Sequence, residues 1–240
     1  MKRLISTVIV FVMLLVVTPV SFANALGENV DTPESLTKES RDYLIKYGEY
    51  SKNDDGSYSF VIRNDVNMVS NSNKTIHSQD TLTIIPFSDE ESEKIENSIS
   101  LMRSGGDTTL TESDKAGCVN AYSNIKWTNT YQNGREYVYL ISASGGYTAS
   151  GSGAYISSGV YVTNHQVTMG QSGFVAGSYK SQSVTHDIGT SNRSFHYSPP
   201  SSWVPVDLDG GTPDVGTSYT ISLKRGSDSH VWYCTIDNNI

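Results

Sequence analysis

The spacing of apolar residues changes along the chain from a mixed helix and strand pattern to a strand pattern alone. Near the start of the first part, Thr32, Pro33 and Glu34 supply an N-cap, a proline at the first helical position and an acidic first turn. These residues predict a helix that ends near Tyr47, before Gly48.

A second helix is predicted after Ser88. Ser88 and Glu91 have the spacing of a capping box, and Ile95, Ile99 and Met102 then fall on one face of the helix. Turn residues, alternating apolar residues and β-branched residues between the two helices predict strands over residues 58–62 and 81–85.

From residue 116 onward the apolar residues alternate, and Gly, Ser and Thr clusters recur every eight to twelve residues. This pattern is typical of an all-β domain, and we expect an antiparallel β-sandwich, with a barrel as the runner-up. The candidate strands are residues 136–143, 154–163, 166–169, 174–179, 182–186, 194–197, 219–224 and 231–236.

The charge distribution supports a division into two regions. Residues 26–115 contain 18 acidic and 9 basic side chains, whereas residues 116–240 contain 7 and 6. We therefore expect a small acidic α+β region over 26–103, an exposed linker over 104–115 and a Ser/Gly/Tyr-rich β domain over 116–240.

The N-terminus predicts export. Lys2 and Arg3 precede an apolar run from Leu4 to Val17, and small residues follow as far as Ala25. These are the three zones of a secretory signal peptide, with cleavage after Ala25. A membrane anchor is the alternative, but the run is shorter than the roughly 20 apolar residues that span a bilayer. We expect residues 1–25 to be removed and the mature protein to be secreted, and the leader resembles those of bacteria.

The composition narrows the classes of partner. The chain has 240 residues, 37% of them hydrophobic and 18% charged, which is ordinary for a globular protein. A formal net charge of -8 lacks the basic surface that binding to nucleic-acid phosphates requires. We expect no nucleic-acid partner and no membrane span in the mature chain.

The two cysteines are Cys118 and Cys234. In an oxidising compartment an even number of cysteines predicts a disulfide, here one that closes the β domain. A loop of this length would contribute about 4 to 5 kcal/mol in the chain-entropy model.

No catalytic residue is predicted. His186 and Asp187 lie near several serines, but the segment 170–174 departs from the G-x-S-x-G pattern at its last position. The histidines lack zinc-site spacing, and we expect His165, His186 and His196 on strand surfaces or in turns.

A weak calcium motif lies in a glycine-rich segment. Asp207, Asp209 and Asp214 place three carboxylates in one turn, and carboxylate oxygens are ligands that Ca²⁺ prefers. The alternative is that Asp and Gly are present because they form turns.

Aromatic residues give the best ligand-binding signal. All three tryptophans and eleven of the fifteen tyrosines lie in the β region among Asn, Gln, Ser and Thr. Such rings suit sugar or peptide ligands, although they also fill the cores of β domains. We select Trp203, in a proline-rich loop, together with Tyr197 and Trp127.

The first functional hypothesis is a secreted binding or interaction protein, whose ligand is a glycan or a protein at the cell surface. The alternative is an exported precursor, in which removal of the acidic region as a pro-segment releases a β-rich toxin, bacteriocin or other effector. The charge asymmetry and the predicted linker motivate this alternative. A hydrolase ranks third.

Overall fold

The fold is described from a computed structural model of the chain. It describes residues 36–66, 76–104, 118–148, 159–208, 213–227 and 230–240, together with Ile156. The described elements are, in chain order, α1 (Lys38–Tyr47), β1 (Glu49–Lys52), β2 (Tyr58–Val66), β3 (Ile76–Pro86), α2 (Asp89–Arg103), β4 (Cys118–Gln132), β5 (Arg135–Thr148), β6 (Val160–Val175), β7 (Ser178–Asp187), β8 (Ser194–Tyr197), β9 (Val206–Asp207), β10 (Asp214–Arg225) and β11 (Val231–Asn239).

The strands form one antiparallel sheet. Its order is β1-β2-β3-β4-β5-β9-β6-β10-β11, with β7 paired to β6 and β8 paired to β5. The predicted β-rich fold is therefore confirmed, whereas the choice between a sandwich and a barrel stays a prediction. Neither helix in the described ranges has the length and apolar character needed to cross a membrane.

The larger hydrophobic core is built from residues of β4, β5, β6 and β10. Val119, Ile125 and Leu140 from β4 and β5 belong to the same buried cluster as Met169 and Ile221 from β6 and β10. Polar contacts also connect these strands. The Leu140 N–H donates to Gln171 Oε1 at 3.0 Å, and the Ser123 and Thr217 hydroxyls lie 3.1 Å apart. Because these buried polar groups have partners, they connect β4 and β5 to β6 and β10 at little desolvation cost.

The smaller core lies between the helices and β2–β3. Tyr58, Phe60 and Leu82 pack there against Ile95 and other apolar residues of the two helices. The predicted capping box at the start of α2 is present, since the Glu91 N–H donates to Ser88 Oγ. The first helix has Thr37 as its N-cap, and the predicted cap Thr32 lies outside the described residues.

The first region shares the sheet of the second. Strand β3 pairs with β4 from Ile76 opposite Thr128 to Pro86 opposite Cys118. Gln79 on β3 also donates to Asn238 Oδ1 on β11, at 2.6 Å. Residues 105–115 of the predicted linker lie outside the described residues, and the predicted domain boundaries stay predictions.

One predicted strand, residues 174–179, is wrong. Val175 pairs with Ser178, and the two residues between them, Ala176 and Gly177, have φ angles of 50° and 84°. Two consecutive positive φ values are typical of the tight turn of a β-hairpin. The segment therefore contains the turn that joins β6 to β7.

The structure gives no support to the predicted disulfide. Cys234 is a buried free thiol, and burial raises its pKa to about 12. The side chain of Cys118 lies outside the described residues. The Cys118–Cys234 bond therefore stays a prediction.

Candidate functional site

The three aromatic residues selected from the sequence have different surroundings. Trp127 is only 8% exposed and stacks on His77, with ring centroids 5.4 Å apart. Trp203 is partly buried against the larger core, and Tyr197 stacks face to face on His186 at 3.8 Å. No ring contact joins the three aromatic residues within the described ranges. They do not form a shared aromatic surface there.

The loop that carries Trp203 is fixed by two glutamines. Gln182 Nε2 donates to the Val204 carbonyl at 2.9 Å, and Gln182 Oε1 accepts from the Val204 N–H at 2.8 Å. Gln171 Nε2 donates to the same carbonyl at 2.7 Å. These three bonds hold the proline-rich loop against β6 and β7, so Trp203 contributes to packing as well as to the surface.

The predicted calcium ligands are not brought together in the described residues. Asp207 is 3% exposed, and its Oδ2 accepts a hydrogen bond from Arg135 at 2.6 Å. Asp214 is exposed at the start of β10, and Asp209 lies outside the described residues. No group of three metal-ligating side chains occurs in the described ranges. Calcium binding stays a prediction.

The expectation for His165 is wrong, because this side chain is completely buried. Its Nε2–H donates to the Asn192 carbonyl at 2.7 Å, which leaves Nδ1 to accept from the Tyr219 hydroxyl at 2.8 Å. Burial lowers the pKa of His165, and a neutral ring satisfies both bonds. The histidine therefore links β6, β10 and the loop before β8.

The carboxyl group of Asp80 is buried on the helix-covered face of β3. Burial raises its pKa to about 6, although a hydrogen bond from Asn124 Nδ2 at 2.8 Å opposes this effect. The positive charge of Lys126 also lowers the pKa of Asp80. A perturbed carboxyl group is a functional candidate in principle, but Asp80 does not line the cavity described below.

The site that the sequence reading missed is a polar groove on the outer face of β7, β6, β10 and β11. Side chains alternate along each strand, so Gln171, Thr217 and Asn238 point inward while their neighbours point outward. Opposite residues in neighbouring strands extend this outer face across the sheet. They are Ser181, Ser172 and Asp214 in one row, Ser183, Gly170, Gly216 and Asn239 in the next, and Thr185, Thr168, Ser218 and Asp237 in the third.

A cavity of about 350 Å³ lies over these rows. Its volume is near the lower end of the range typical of ligand pockets, about 300–1,000 Å³. Gly170 and Gly216 are opposite each other on β6 and β10. A Cβ atom at Gly170 would meet only the Gln182 carbonyl, at 3.8 Å, so the space above this residue is open.

The polar groups of the groove have few partners in the protein. The side chains of Ser172, Ser181, Ser183 and Ser218 make no hydrogen bond within the described residues. Nor do the carboxylates of Asp214 and Asp237 form any ion pair or hydrogen bond there. These six side chains therefore offer donors and acceptors to a ligand.

Two aromatic rings lie at one end of the groove. Tyr179 and Phe174 are opposite each other on β7 and β6, one row beyond Ser181 and Ser172. Their ring centroids lie 5.8 Å apart in an edge-to-face arrangement, and Tyr179 is 59% exposed. An exposed ring beside hydroxyl groups can pack on the apolar face of a sugar.

The sequence contained a signal for this groove. In β10, Gly216, Ser218 and Thr220 alternate with the buried Val215, Thr217, Tyr219 and Ile221, and β6 has a similar alternation. The alternation predicts a solvent-facing side, but only the register places four such strands side by side.

No protein-family description, curated protein or solved structure matches the chain.

Proposed function

We propose that this protein is a secreted binding module that holds a glycan in the polar groove. The observation that carries the proposal is the cavity whose lining includes four serine hydroxyls and two carboxylates that lack protein partners within the described residues. Glycans present many hydroxyl groups, and each can both donate and accept a hydrogen bond. The chemical match is therefore to a polyhydroxylated ligand rather than to an apolar peptide.

The shape of the site is also consistent with a chain-like ligand. The groove extends over three rows of the sheet, and successive outward residues on one strand are about 6.6 Å apart. Tyr179 at one end supplies an apolar surface next to the polar rows. A glycan chain has the same combination of polar edges and apolar ring faces.

The proposal includes a location and a fold. Export through a signal peptide over residues 1–25 would place the groove outside the cell, where glycans are abundant. A β-sandwich would give β6, β10 and β11 one face toward the core and one toward solvent, as a ligand-binding sheet needs. The location and the fold both extend the sequence predictions of a signal peptide and a β-sandwich.

The test is binding of the secreted chain to immobilised polysaccharides, with Gly170→Val as the variant that fills the groove. Valine is favoured in strands, and a Cβ atom at Gly170 makes only an ordinary contact, 3.8 Å from the Gln182 carbonyl. Thr220→Val is the matched control, because Thr220 lies on the same outer face but outside the cavity lining.

We expect at least one polysaccharide to bind the wild-type chain and the Thr220→Val variant equally, and Gly170→Val to bind at least about tenfold more weakly. A tenfold change corresponds to about 1.4 kcal/mol of binding free energy. Absence of binding to every polysaccharide, or equal binding by Gly170→Val, would contradict the proposal.

A further inference from the structure

The charges of the groove restrict the class of glycan. Among the described residues, the lining contains two carboxylates, Asp214 and Asp237, and no lysine or arginine. An anionic glycan would meet two negative charges with no cation to offset them, which is unfavourable. An uncharged or a cationic glycan is compatible with the site.

The basic residues of the neighbouring strands lie away from the two carboxylates. Lys224 and Arg225 are at the opposite end of β10, ten and eleven residues after Asp214. At roughly 3.3 Å per residue the separation from Asp214 exceeds 30 Å, and the separation from Asp237, which is opposite Ser218, is about 20 Å. Both exceed the Debye length of about 8 Å at physiological ionic strength. Lys180 directly precedes the outward-facing Ser181 on β7. Because consecutive side chains of a strand point to opposite faces, Lys180 points away from the groove.

The placement of the carboxylates indicates an extended ligand. Asp237 is opposite Ser218, which lies four residues after Asp214 along β10. Four residues of strand correspond to about 13 Å. A ligand that contacts both carboxylates must therefore extend over several groove residues, as an oligosaccharide does.

We infer that the ligand of the polar groove is a glycan chain with free amino groups, that is, a polymer of de-N-acetylated amino sugars. This inference rests on the proposed function and names its ligand class. Each ammonium group of such a chain can form an ion pair and hydrogen bonds with Asp214 or Asp237, while the sugar hydroxyl groups bind the serine hydroxyls.

The experiment is a calorimetric titration of the full secreted chain with glucosamine oligomers and with N-acetylglucosamine oligomers of equal length. Acetylation removes the positive charge and changes little else in the chain. The variants are Asp214→Asn and Asp237→Asn. The control is Asp54→Asn, which removes the same charge from the turn between β1 and β2.

We expect glucosamine oligomers to bind more tightly than the acetylated ones, with an affinity that falls in high salt. Because exposed ion pairs contribute modestly, each groove substitution should weaken binding about two- to fivefold, and Asp54→Asn should leave it unchanged.

The two possible failures differ. If acetylated or other uncharged oligomers bind equally or better and Gly170→Val still abolishes their binding, the inference is wrong and the proposed function stands. If no oligomer of either kind binds, the inference is wrong, and the proposed function is also wrong only if every immobilised polysaccharide fails to bind as well. An effect of Asp54→Asn equal to that of the groove variants would also overturn the inference, because net charge alone would then explain the binding.

Discussion

The two glycines of the groove should respond in opposite ways to the same small substitution. Gly170 and Gly216 are direct cross-strand partners. A methyl group at Gly170 would be 3.8 Å from the Gln182 carbonyl, an ordinary van der Waals contact. A methyl group at Gly216 would collide with the Asn238 carbonyl and with Asn239 Oδ1. Gly216 is therefore required by packing, whereas Gly170 leaves open space.

The magnitudes follow from these contacts. Gly170→Ala reduces the conformational freedom of the unfolded chain without strain, so its unfolding free energy should rise by about 0.4–1 kcal/mol. Gly216→Ala forces β11 to shift and should lower the unfolding free energy by roughly 1–3 kcal/mol. The gap between the two variants is then about 2.7 kcal/mol at the centre of these ranges.

Urea unfolding followed by tryptophan fluorescence measures this gap. With a denaturant slope of about 1–3 kcal/mol/M, a gap of about 2.7 kcal/mol separates the two midpoints by roughly 0.9–2.7 M. Equal midpoints, or a lower midpoint for Gly170→Ala, would refute the register that places the two glycines opposite each other and the open space above Gly170.

Three further predictions concern other parts of the molecule. Because burial raises the pKa of Cys234 to about 12, this thiol should resist alkylation at neutral pH in the native protein. Labelling of the unfolded chain without a reducing agent would show a free thiol. Labelling that requires a reducing agent would show the predicted disulfide. The folded pKa of Asp80, about 6, is above the ordinary aspartate pKa of 3.8, so its protonated form stabilises the fold below about pH 4. That stability, up to about 3 kcal/mol, is lost as the pH rises through 6. Asp80→Asn should flatten this pH dependence of the urea midpoint, and an unchanged profile would exclude Asp80 as its source. Removal of the residues before 116 would expose the edge of β4 that pairs with β3. An exposed strand edge promotes aggregation, so the truncated chain should elute as aggregates in size-exclusion chromatography. A soluble, folded fragment would instead favour the precursor hypothesis.

Local signals predicted much of the secondary structure. The capping box at Ser88 and the apolar spacing of Ile95, Ile99 and Met102 were sufficient to place α2, because a cap and a buried helix face depend on residues close in sequence. The alternating residues of β10 likewise placed a strand whose apolar side is buried.

Features that depend on distant pairing were not predictable in this way. The turn at Ala176 and Gly177 lacks the Asn-Gly or Asp-Gly signal that marks many hairpins, so its flanking aromatic residues were assigned to a strand. The pairing of β3 with β4 joins residues separated by more than thirty positions in the sequence, and no local pattern predicts this pairing.

The candidate site illustrates the same limit. Trp127 was selected because tryptophan binds sugars well, yet its position opposite His77 buries it. The groove residues are small and polar, and each one alone is an ordinary surface residue. They became a candidate site only because the register of four strands places them around one cavity.

The most direct test of the account is to map where the ligand binds, by amide chemical-shift perturbation of the labelled protein with glucosamine oligomers. The account predicts that the largest shifts occur at Gly170, Gly216 and their neighbours in the groove. The contradictory result is an absence of shifts there, or shifts confined to Tyr197 and Trp203 in the proline-rich loop.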